Sequence, residues 1–376
     1  MAFDESHDLF RATCRRFAEE KIAPFCYEWE EAGEFPRELY RDAARAGILG
    51  AGYPEDLGGG GGDPLHALVG IEGLLHGGSS GVVASLCSHG IALPPILKMG
   101  SPEQQRRFVP PVLAGEQIAA LAITEPGTGS DVASLTTRAV RDGTDYVISG
   151  SKLFITSGVR ADLVSVLCRT GPDKHGGLTF FVVERGMPGF TVSRALEKTG
   201  WWASDTAELS FDEVRVPQAN RIGEEGSGFV ALMQNFQGER LALAFYGHAT
   251  AELALQDALA YAKERSAFGR PLTGFQVTRH KLAAMATKVA AARTFNYRLA
   301  ERVAAGEYLV GEVSMAKNFS AQIANEVCYD AVQIFGGMGF MRETRVERLS
   351  RDARLLPIGG GTSEIMNEII AKSLGL

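Results

Sequence analysis

A block of short β-type runs, from about residue 119 to 224, lies between two longer blocks with helical periodicity. The middle block contains runs such as DYVISGSKLFIT and LTFFVVE, separated by Gly, Asp and Pro. The first block contains a good helix start at Ser101-Pro102-Glu103, and helical spacing returns after about residue 225. Because helices and strands are segregated along the chain, we expect an α+β protein rather than a doubly wound sheet. The predicted domains are an N-terminal helical domain (1–118), a central β domain (119–224) and a C-terminal helical bundle (225–376).

The composition of the 376 residues argues against several classes of protein. Hydrophobic residues make up 45% of the chain, as in an ordinary globular protein, and the net charge of −7 argues against a nucleic-acid partner. No apolar run reaches the roughly 18–20 residues of a membrane span. The five cysteines lie far apart and the seven histidines lack ligand spacing, so we expect reduced thiols and no metal site. The start, MAFDESHDLF, has no signal-peptide core, so we expect a cytoplasmic protein.

Two catalytic motifs are absent or lack the necessary context. Gly77-Gly78-Ser79-Ser80-Gly81 fits the GxSxG pattern of a hydrolase nucleophile, but a helical run, ALVGIEGLLH, precedes it instead of a strand. No GxGxxG follows a strand with an acidic residue about 20 positions later, so a Rossmann dinucleotide site is not expected.

Glu239 lies on the apolar stripe of a predicted helix. The segment from 229 to 269 has helical spacing, and one face carries Leu232, Phe236, Glu239, Leu243 and Tyr246. Burial would raise the pKa of this carboxyl toward the range that suits a general base. The alternative is a structural ion pair of Glu239 with Arg240 or Arg265.

Three glycines at 359–361 precede Thr362, Ser363, Glu364 and an apolar helical run. This pattern predicts a loop that enters a helix N-terminus and lets backbone N–H groups approach an anion or a carbonyl oxygen. A flexible linker before the last helix is the alternative.

Two segments around the central block offer hydroxyls, glycines and an aromatic ring. LAITEPGTGSD (121–131) carries Thr124, Thr128 and Ser130, and SGSKLFITSG (149–158) places Phe154 and Thr156 at alternating strand positions. A planar ring stacked on an aromatic side chain, with hydrogen bonds to its heteroatoms, describes an isoalloxazine site.

These segments, together with RSAFGRPLTGFQ (265–276), VQIFGGMGF (332–340) and RDARLLPIGGGTSEI (351–365), resemble the successive signatures of the acyl-CoA dehydrogenase flavoprotein family. The resemblance covers essentially the whole chain. It implies FAD as cofactor, an acyl-CoA substrate, an electron-transfer flavoprotein as partner, a homotetramer and a role in fatty acid metabolism.

The resemblance also implies roles for individual residues. Glu239 would be the catalytic base, and the Gly360 backbone N–H would bind the thioester oxygen. The substrate would also contact Ser130, Phe236, Arg240 and Gly361. The implied FAD contacts, some of them across a subunit interface, are Thr124, Ser130, Phe154, Thr156, Arg265, Phe268, Gln276, Gln333, Gly336, Gly337, Thr362 and Glu364.

One departure from the family pattern concerns the base. Most members have Tyr-Glu-Gly-Thr where this chain has Gly359-Gly360-Gly361-Thr362, and that Glu is their base. The long-chain and isovaleryl-type members carry the base on the first long helix of the bundle, in a Glu-Arg-Leu context, which Glu239-Arg240-Leu241 matches. The glycine triplet should leave room beside the reacting carbons, unless Trp201, Trp202, Phe245 or Tyr246 fill it.

The expected reaction is the α,β-dehydrogenation of an acyl-CoA thioester to the trans-2-enoyl-CoA. The same chemistry on a carrier-protein-bound acyl thioester, a flavin oxidase or monooxygenase of the same fold, and a catalytically silent homologue are the alternatives.

Overall fold

The N-terminal part of the chain is a group of helices. A computed structural model describes residues 3–376. Ser101 caps its helix as predicted, because its hydroxyl accepts from the Gln104 backbone N–H. Ser79 follows a helix and caps the next one, and its buried hydroxyl donates to Glu30. The helices of this part, within the described residues, are α1 (Glu5–Lys21), α2 (Cys26–Ala32), α3 (Glu38–Arg45), α4 (Pro64–Leu75), α5 (Ser80–Leu86), α6 (His89–Ala92), α7 (Pro94–Met99), α8 (Pro102–Phe108) and α9 (Pro110–Leu113).

The middle of the chain forms one mostly antiparallel sheet. Its strands follow the spatial order β6-β7-β3-β2-β4-β5-β8, and β1 pairs in parallel with β4. The strands are β1 (Ala119–Ala122), β2 (Arg138–Asp142), β3 (Asp145–Thr156), β4 (Leu163–Arg169), β5 (Leu178–Glu184), β6 (Phe190–Ala195), β7 (Thr206–Val216) and β8 (Arg221–Ile222). Strands β4 and β5 are buried along almost their whole length, which explains their continuous apolar runs.

An irregularity in β3 sets the conformation of the aromatic segment. The register between β3 and β7 shifts between Lys152 and Ile155, and Phe154 adopts a φ of 62°. The Leu153 backbone N–H leaves the sheet and donates to the Thr124 carbonyl oxygen at 2.8 Å. Phe154 and Thr156 are therefore not two positions of one regular strand, which corrects the sequence prediction. Instead, the bulge joins β3 to the loop after β1.

The C-terminal part consists of three long helices and shorter ones packed on them. Helix α10 packs along α12 and α11, and α14 packs on α12 as the short fourth member. Ala-rich faces let the axes approach closely: a Cβ at Gly247 on α10 would lie 2.8 Å from the Ser320 carbonyl oxygen on α12. The elements are α10 (Gly228–Glu264), the hairpin β9 (Ser266–Ala267) and β10 (Arg270–Pro271), α11 (Gln276–Ala304), α12 (Val310–Phe335), α13 (Arg345–Ala353) and α14 (Ser363–Ser373).

The structure confirms the predicted α+β class with helical, β and helical parts in that order. The boundaries at 118/119 and 224/225 remain our interpretation. Within residues 3–376, no single helix is long and apolar enough to cross a membrane, and one bent pair of short helices (Ser80–Leu86 with His89–Met99) meets the length and composition criteria. The five cysteines are free thiols.

Candidate active site

Glu239 lies at the start of the fourth turn of α10, on the face that the sequence predicted to be buried. Leu232 and Tyr246 of that stripe are buried, while Phe236 and Leu243 are partly buried. The Glu239 residue keeps some accessible surface, but its Oε2 atom is enclosed and has no hydrogen-bond partner in the described part of the chain. Burial raises the pKa of this carboxyl, and the nearby positive charges of Arg240 and Lys317 only partly oppose that rise.

Neither arginine proposed as an ion-pair partner pairs with Glu239. The Arg240 guanidinium is buried, and its Nε donates to the Gly360 carbonyl oxygen at 3.2 Å. Arg265 follows the end of α10, 26 positions after Glu239, which corresponds to about 39 Å along a helix axis. Among residues 3–376, Glu239 forms no salt bridge within 4.0 Å. The structural ion pair is therefore wrong for this residue.

The glycine triplet lies directly against the Glu239 carboxyl. A Cβ at Gly360 would lie 3.6 Å from Glu239 Oε1. Gly360 and Gly361 have φ values of 64° and 102°, which side chains rarely allow. The Gly360 N–H donates to no backbone carbonyl within the described residues. The site therefore places a buried carboxyl beside a free backbone donor.

Two aliphatic side chains occupy part of the space that the missing side chains were expected to leave. A Cβ at Gly360 would collide with Leu243, and one at Gly361 would lie 2.7 Å from Met366. Only at Gly359 would an added Cβ meet its neighbour, Leu355, at an ordinary distance of 3.7 Å. Leu243 and Met366 thus lie close to two of the three glycines, none of the four aromatic residues considered is among the nearest neighbours, and the space beside the reacting carbons stays a prediction.

The triplet enters a helix as predicted. Thr362 is the N-cap of α14, and its hydroxyl accepts from the Ile365 backbone N–H at 3.3 Å. Glu364 is exposed in the first turn, where a carboxylate is favourable. Thr362 and Glu364 therefore have capping roles that are independent of any cofactor.

The hydroxyl-bearing loop and the aromatic segment contact each other. The Leu153–Thr124 hydrogen bond joins the two segments, and Thr156 pairs with Thr206 at the start of β7. The residues just before Thr206 include Trp201, whose ring lies 6.2 Å from that of Tyr246 on α10. Thr124 and Thr156 are partly buried, whereas Ser130 and Phe154 are exposed.

The remaining predicted cofactor residues lie at the far end of the bundle. They sit where α10 and α12 end and α11 begins, a region held together by Tyr261 stacking on Phe335 at 4.1 Å. All of them are exposed, Phe268 to 96%, and the structure does not bring them to Glu239 within one chain. They are Arg265, Phe268, Gln276, Gln333, Gly336 and Gly337.

Of the predicted substrate residues, Arg240 and Gly361 lie at the triplet, and Phe236 lies under the Arg240 guanidinium at 5.0 Å. Ser130 lies in the exposed loop after β1. A cavity of about 550 Å³ opens beside the first turns of α10, before Glu239. Its lining residues are Lys98, Phe229, Val230, Met233, Gln234 and Tyr308.

Sequence reasoning missed Lys317. This lysine of α12 is 1% exposed, and its Nζ donates to the Gly361 carbonyl oxygen at 2.6 Å. Its position on the buried face of α12, with Val313, Ser320 and Ala324, was the available signal.

Comparison with known proteins decides the family. Family models match the chain in three consecutive segments: the acyl-CoA dehydrogenase N-terminal domain at 4–116, the middle domain at 120–214 and the C-terminal domain at 226–375. The chain belongs to the acyl-CoA dehydrogenase family. It is 40% identical over 375 residues to the mitochondrial long-chain specific acyl-CoA dehydrogenase of Sus scrofa, covering 99% of this chain and 87% of that protein.

Solved structures agree with this assignment. A probable acyl-CoA dehydrogenase from Mycobacterium abscessus is 52% identical, with a TM-score of 0.98 and full coverage of both chains. A chain from the structure described as the electron transferring flavoprotein of Acidaminococcus fermentans is 35% identical, with a TM-score of 0.94, covering 99% of this chain and 98% of that one. As a member of this oxidoreductase family, the protein is a flavin-dependent enzyme of acyl-CoA dehydrogenation.

Proposed function

We propose that this acyl-CoA dehydrogenase uses Glu239 as its general base and the Gly360 backbone N–H as a donor to the thioester oxygen. The observation that carries the proposal is the enclosed, unpartnered Oε2 of Glu239 beside the glycine triplet. A buried carboxylate without hydrogen bonds is a stronger proton acceptor than one that is solvated or paired. Such a group can take the α-proton of a thioester bound against the triplet.

The glycine triplet offers a donor for the second requirement of this reaction, which is stabilisation of the enolate oxygen. The α-proton of a thioester is only weakly acidic, so the enolate oxygen must be stabilised where its charge develops. The Gly360 N–H has no backbone acceptor in the described residues, and it belongs to the loop that lies against the carboxyl. Losing the side chain that most relatives carry at this position does not remove the amide, so the donor role is compatible with glycine.

The segments that carry Thr124, Phe154 and Thr156 fit the ring end of an FAD molecule. Phe154 presents a 65% exposed aromatic ring from a bulge, and Cβ atoms at Gly127 or Gly129 would meet nothing within 4 Å. Thr124 and Thr156 supply hydroxyls beside this open space. A bound FAD would accept the hydrogen that leaves the β-carbon, together with its electron pair. Glu239 and the triplet would hold the α-carbon and the thioester oxygen of the substrate.

The far end of the bundle fits the other end of an FAD molecule bound to a second copy of the chain. Arg265 lies about 39 Å from Glu239 along α10, farther than one dinucleotide extends. The same end exposes Phe268 and Phe340 to 96% and 79%, which is typical of a covered surface. We therefore propose a homotetramer in which Arg265, Phe268, Gln276, Gln333, Gly336 and Gly337 contact the cofactor of a neighbouring subunit.

The acyl group and the electron acceptor are inferred from chemistry and similarity. Room remains beside Gly359, whereas Leu243 and Met366 limit it at the next two glycines, so we propose a preference for long acyl chains over short ones. The similarity to the long-chain specific enzyme supports this choice. We further propose an electron-transfer flavoprotein as acceptor, in keeping with the chain from Acidaminococcus fermentans, and a cytoplasmic location.

An anaerobic titration of the purified protein with acyl-CoA thioesters tests the proposal. We expect yellow protein with non-covalent FAD, loss of the visible flavin absorbance on adding a saturated acyl-CoA, and formation of the trans-2-enoyl product. A long acyl-CoA should have a kcat/KM about 10–200-fold above that of butyryl-CoA, the range that well-placed methylenes provide.

Three outcomes would contradict parts of the proposal. Protein that binds no FAD would reject the cofactor. Reduction by a carrier-protein-bound thioester, but by none of the CoA thioesters, would reject the substrate. Re-oxidation by oxygen faster than by an electron-transfer flavoprotein would indicate an oxidase.

A further inference from the structure

Lys317 is a buried cation without an ion-pair partner. Its side chain is 1% exposed, and no carboxylate in residues 3–376 lies within salt-bridge distance of its Nζ. The other fully buried lysine, Lys152, differs because it donates to Glu125 at 3.0 Å as well as to a carbonyl. A buried ammonium costs several kcal/mol unless it is well paired. The Gly361 carbonyl oxygen is the acceptor that the structure gives to Lys317.

The carbonyl that Lys317 holds belongs to the glycine triplet. Arg240 from α10 holds the preceding carbonyl, that of Gly360, so side chains from two different helices fix two successive peptide groups. Asn318, the next residue on α12, donates to the Ser363 carbonyl oxygen at 3.1 Å. The Ser363 backbone N–H closes the loop on the Pro357 carbonyl oxygen at 3.0 Å.

The triplet needs such contacts because glycine does not restrict its own backbone. Gly360 and Gly361 have left-handed φ values in a loop without side chains, and each glycine loses more conformational freedom on ordering than any other residue. A donor that acts on an oxyanion must already be oriented before charge develops. The cations on the Gly360 and Gly361 carbonyls fix the two peptide groups that follow the Gly360 N–H.

We infer that Lys317 is a positioning residue for the proposed reaction: through the Gly361 carbonyl it holds the triplet so that the Gly360 N–H points to the thioester oxygen. The inference rests on the proposed function. Burial, with Arg240, lowers the pKa of Lys317 to about 8, while Glu239 and Glu364 oppose that fall. Its charge also lies close enough to Glu239 to oppose part of the rise that burial causes in the pKa of that carboxyl.

Lys317→Met, which shortens the side chain by one atom and removes the donor, is the principal test. We expect kcat/KM to fall about 10²-fold, the scale of a misplacement by about 1 Å in an active site. The fall should appear mainly in kcat, and the FAD content should be unchanged. Lys317→Arg, which keeps a charged donor, should recover part of the loss. Lys288→Met is the matched control, because Lys288 joins α11 to α12 through Glu326 and lies on the surface.

A spectroscopic measurement separates positioning from a general effect on stability. Trans-2-octenoyl-CoA labelled with ¹³C at the thioester carbonyl is bound to the FAD-loaded protein, and its carbonyl stretch is recorded by infrared difference spectroscopy. Hydrogen bonding in the site lowers this frequency in wild type and in Lys288→Met. In Lys317→Met, the frequency should move back toward the value for the free thioester.

The outcomes are distinguishable. If wild type shows no lowering of the carbonyl frequency, the proposed thioester site fails. If wild type shows the lowering and Lys317→Met shows the same lowering, the role of Lys317 is wrong. Should Lys317→Met fail to fold, Lys317→Gln, which keeps a neutral donor, takes its place: an intermediate frequency supports the inference, and the wild-type frequency overturns it.

Discussion

Glu125 and Glu239 are both shielded glutamates near the proposed active site, yet their hydrogen bonding differs, and their pKa values are shifted in opposite directions. Glu125 accepts hydrogen bonds at both oxygens, from Lys152, from the Thr137 backbone and from the backbone and hydroxyl of Thr136. Burial alone would raise its pKa, but these donors lower the pKa of Glu125 to about 2. The Oε2 of Glu239 has no partner, and the pKa of Glu239 is raised.

The comparison shows that burial does not by itself indicate a catalytic carboxylate. Glu125 lies in the segment that fits the flavin, but its lone pairs are occupied and it remains ionised. It therefore holds the loop after β1 onto β3 and has little basicity left. Glu239 is less buried as a whole residue, and it nevertheless has the oxygen that is free to accept a proton.

The largest expected effect is on the rate of Glu239→Gln. This change keeps the size of the side chain but removes the proton acceptor, so flavin reduction by an acyl-CoA should slow about 10²–10⁴-fold, the usual contribution of a positioned base. Stopped-flow absorbance under anaerobic conditions measures the rate. Glu252→Gln, a partly buried glutamate on the same helix, serves as the control. Reduction of Glu239→Gln at the wild-type rate would mean that another group is the base.

The next effect is on the stability of Glu125→Gln. Removing one partner of a buried pair leaves the Lys152 ammonium uncompensated, so the free energy of unfolding should fall by about 3–5 kcal/mol. Urea unfolding at neutral pH measures this change. The double variant Glu125→Gln/Lys152→Met removes both charges and should recover much of the loss. Equal losses in the single and double variants would show that the ion pair is not the cause.

The two carboxyls should lose their charge in different pH ranges. Glu239 acts as a base only when deprotonated, so kcat/KM should rise with pH along an acid limb above the ordinary glutamate pKa of 4.5. Glu125 has a lowered pKa, so its stabilising contribution is present above 4.5 and is lost as pH falls from 4.5 toward about 2. The double variant at Glu125 and Lys152 should therefore lose less stability in that window than wild type does. A profile of kcat/KM against pH with its acid limb at or below pH 4.5 would contradict the raised pKa of Glu239.

The smallest effect is on the stability of Glu239→Gln. The unpartnered carboxyl stabilises nothing through hydrogen bonds at Oε2, so its replacement should change the free energy of unfolding by no more than about 1 kcal/mol. The same urea experiment applies. A loss as large as that of Glu125→Gln would show that Glu239 has a structural role.

The sequence predicted the parts of this molecule that depend on local pattern. The helical or β-type pattern of the three blocks predicted the α+β class. The apolar stripe of α10, with one carboxylate in it, identified Glu239. The Thr362 cap followed from the glycine triplet and the residues after it. These features are readable because helical and strand periodicities, and caps, are properties of neighbouring residues.

Contacts between distant segments were not predictable in the same way. The bulge that exposes Phe154 in β3 depends on a hydrogen bond from the Leu153 backbone N–H to the carbonyl oxygen of Thr124, 29 positions before Leu153. Leu243 and Met366 fill space beside the triplet because α10 and α14 converge there. Nothing in the sequence distinguished Glu125, whose partners come from two further segments.

The most direct measurement of the central claim is the exchange of α-hydrogens of a bound acyl-CoA with deuterated water. Under anaerobic conditions the flavin of the loaded enzyme is first reduced chemically, so the β-hydrogen has no acceptor and only proton transfer at the α-carbon remains. Mass spectrometry then follows deuterium uptake into the thioester. Wild type should exchange the α-hydrogens, and Glu239→Gln, with FAD still bound, should not. Exchange in Glu239→Gln at the wild-type rate would contradict the assignment of Glu239 as the base.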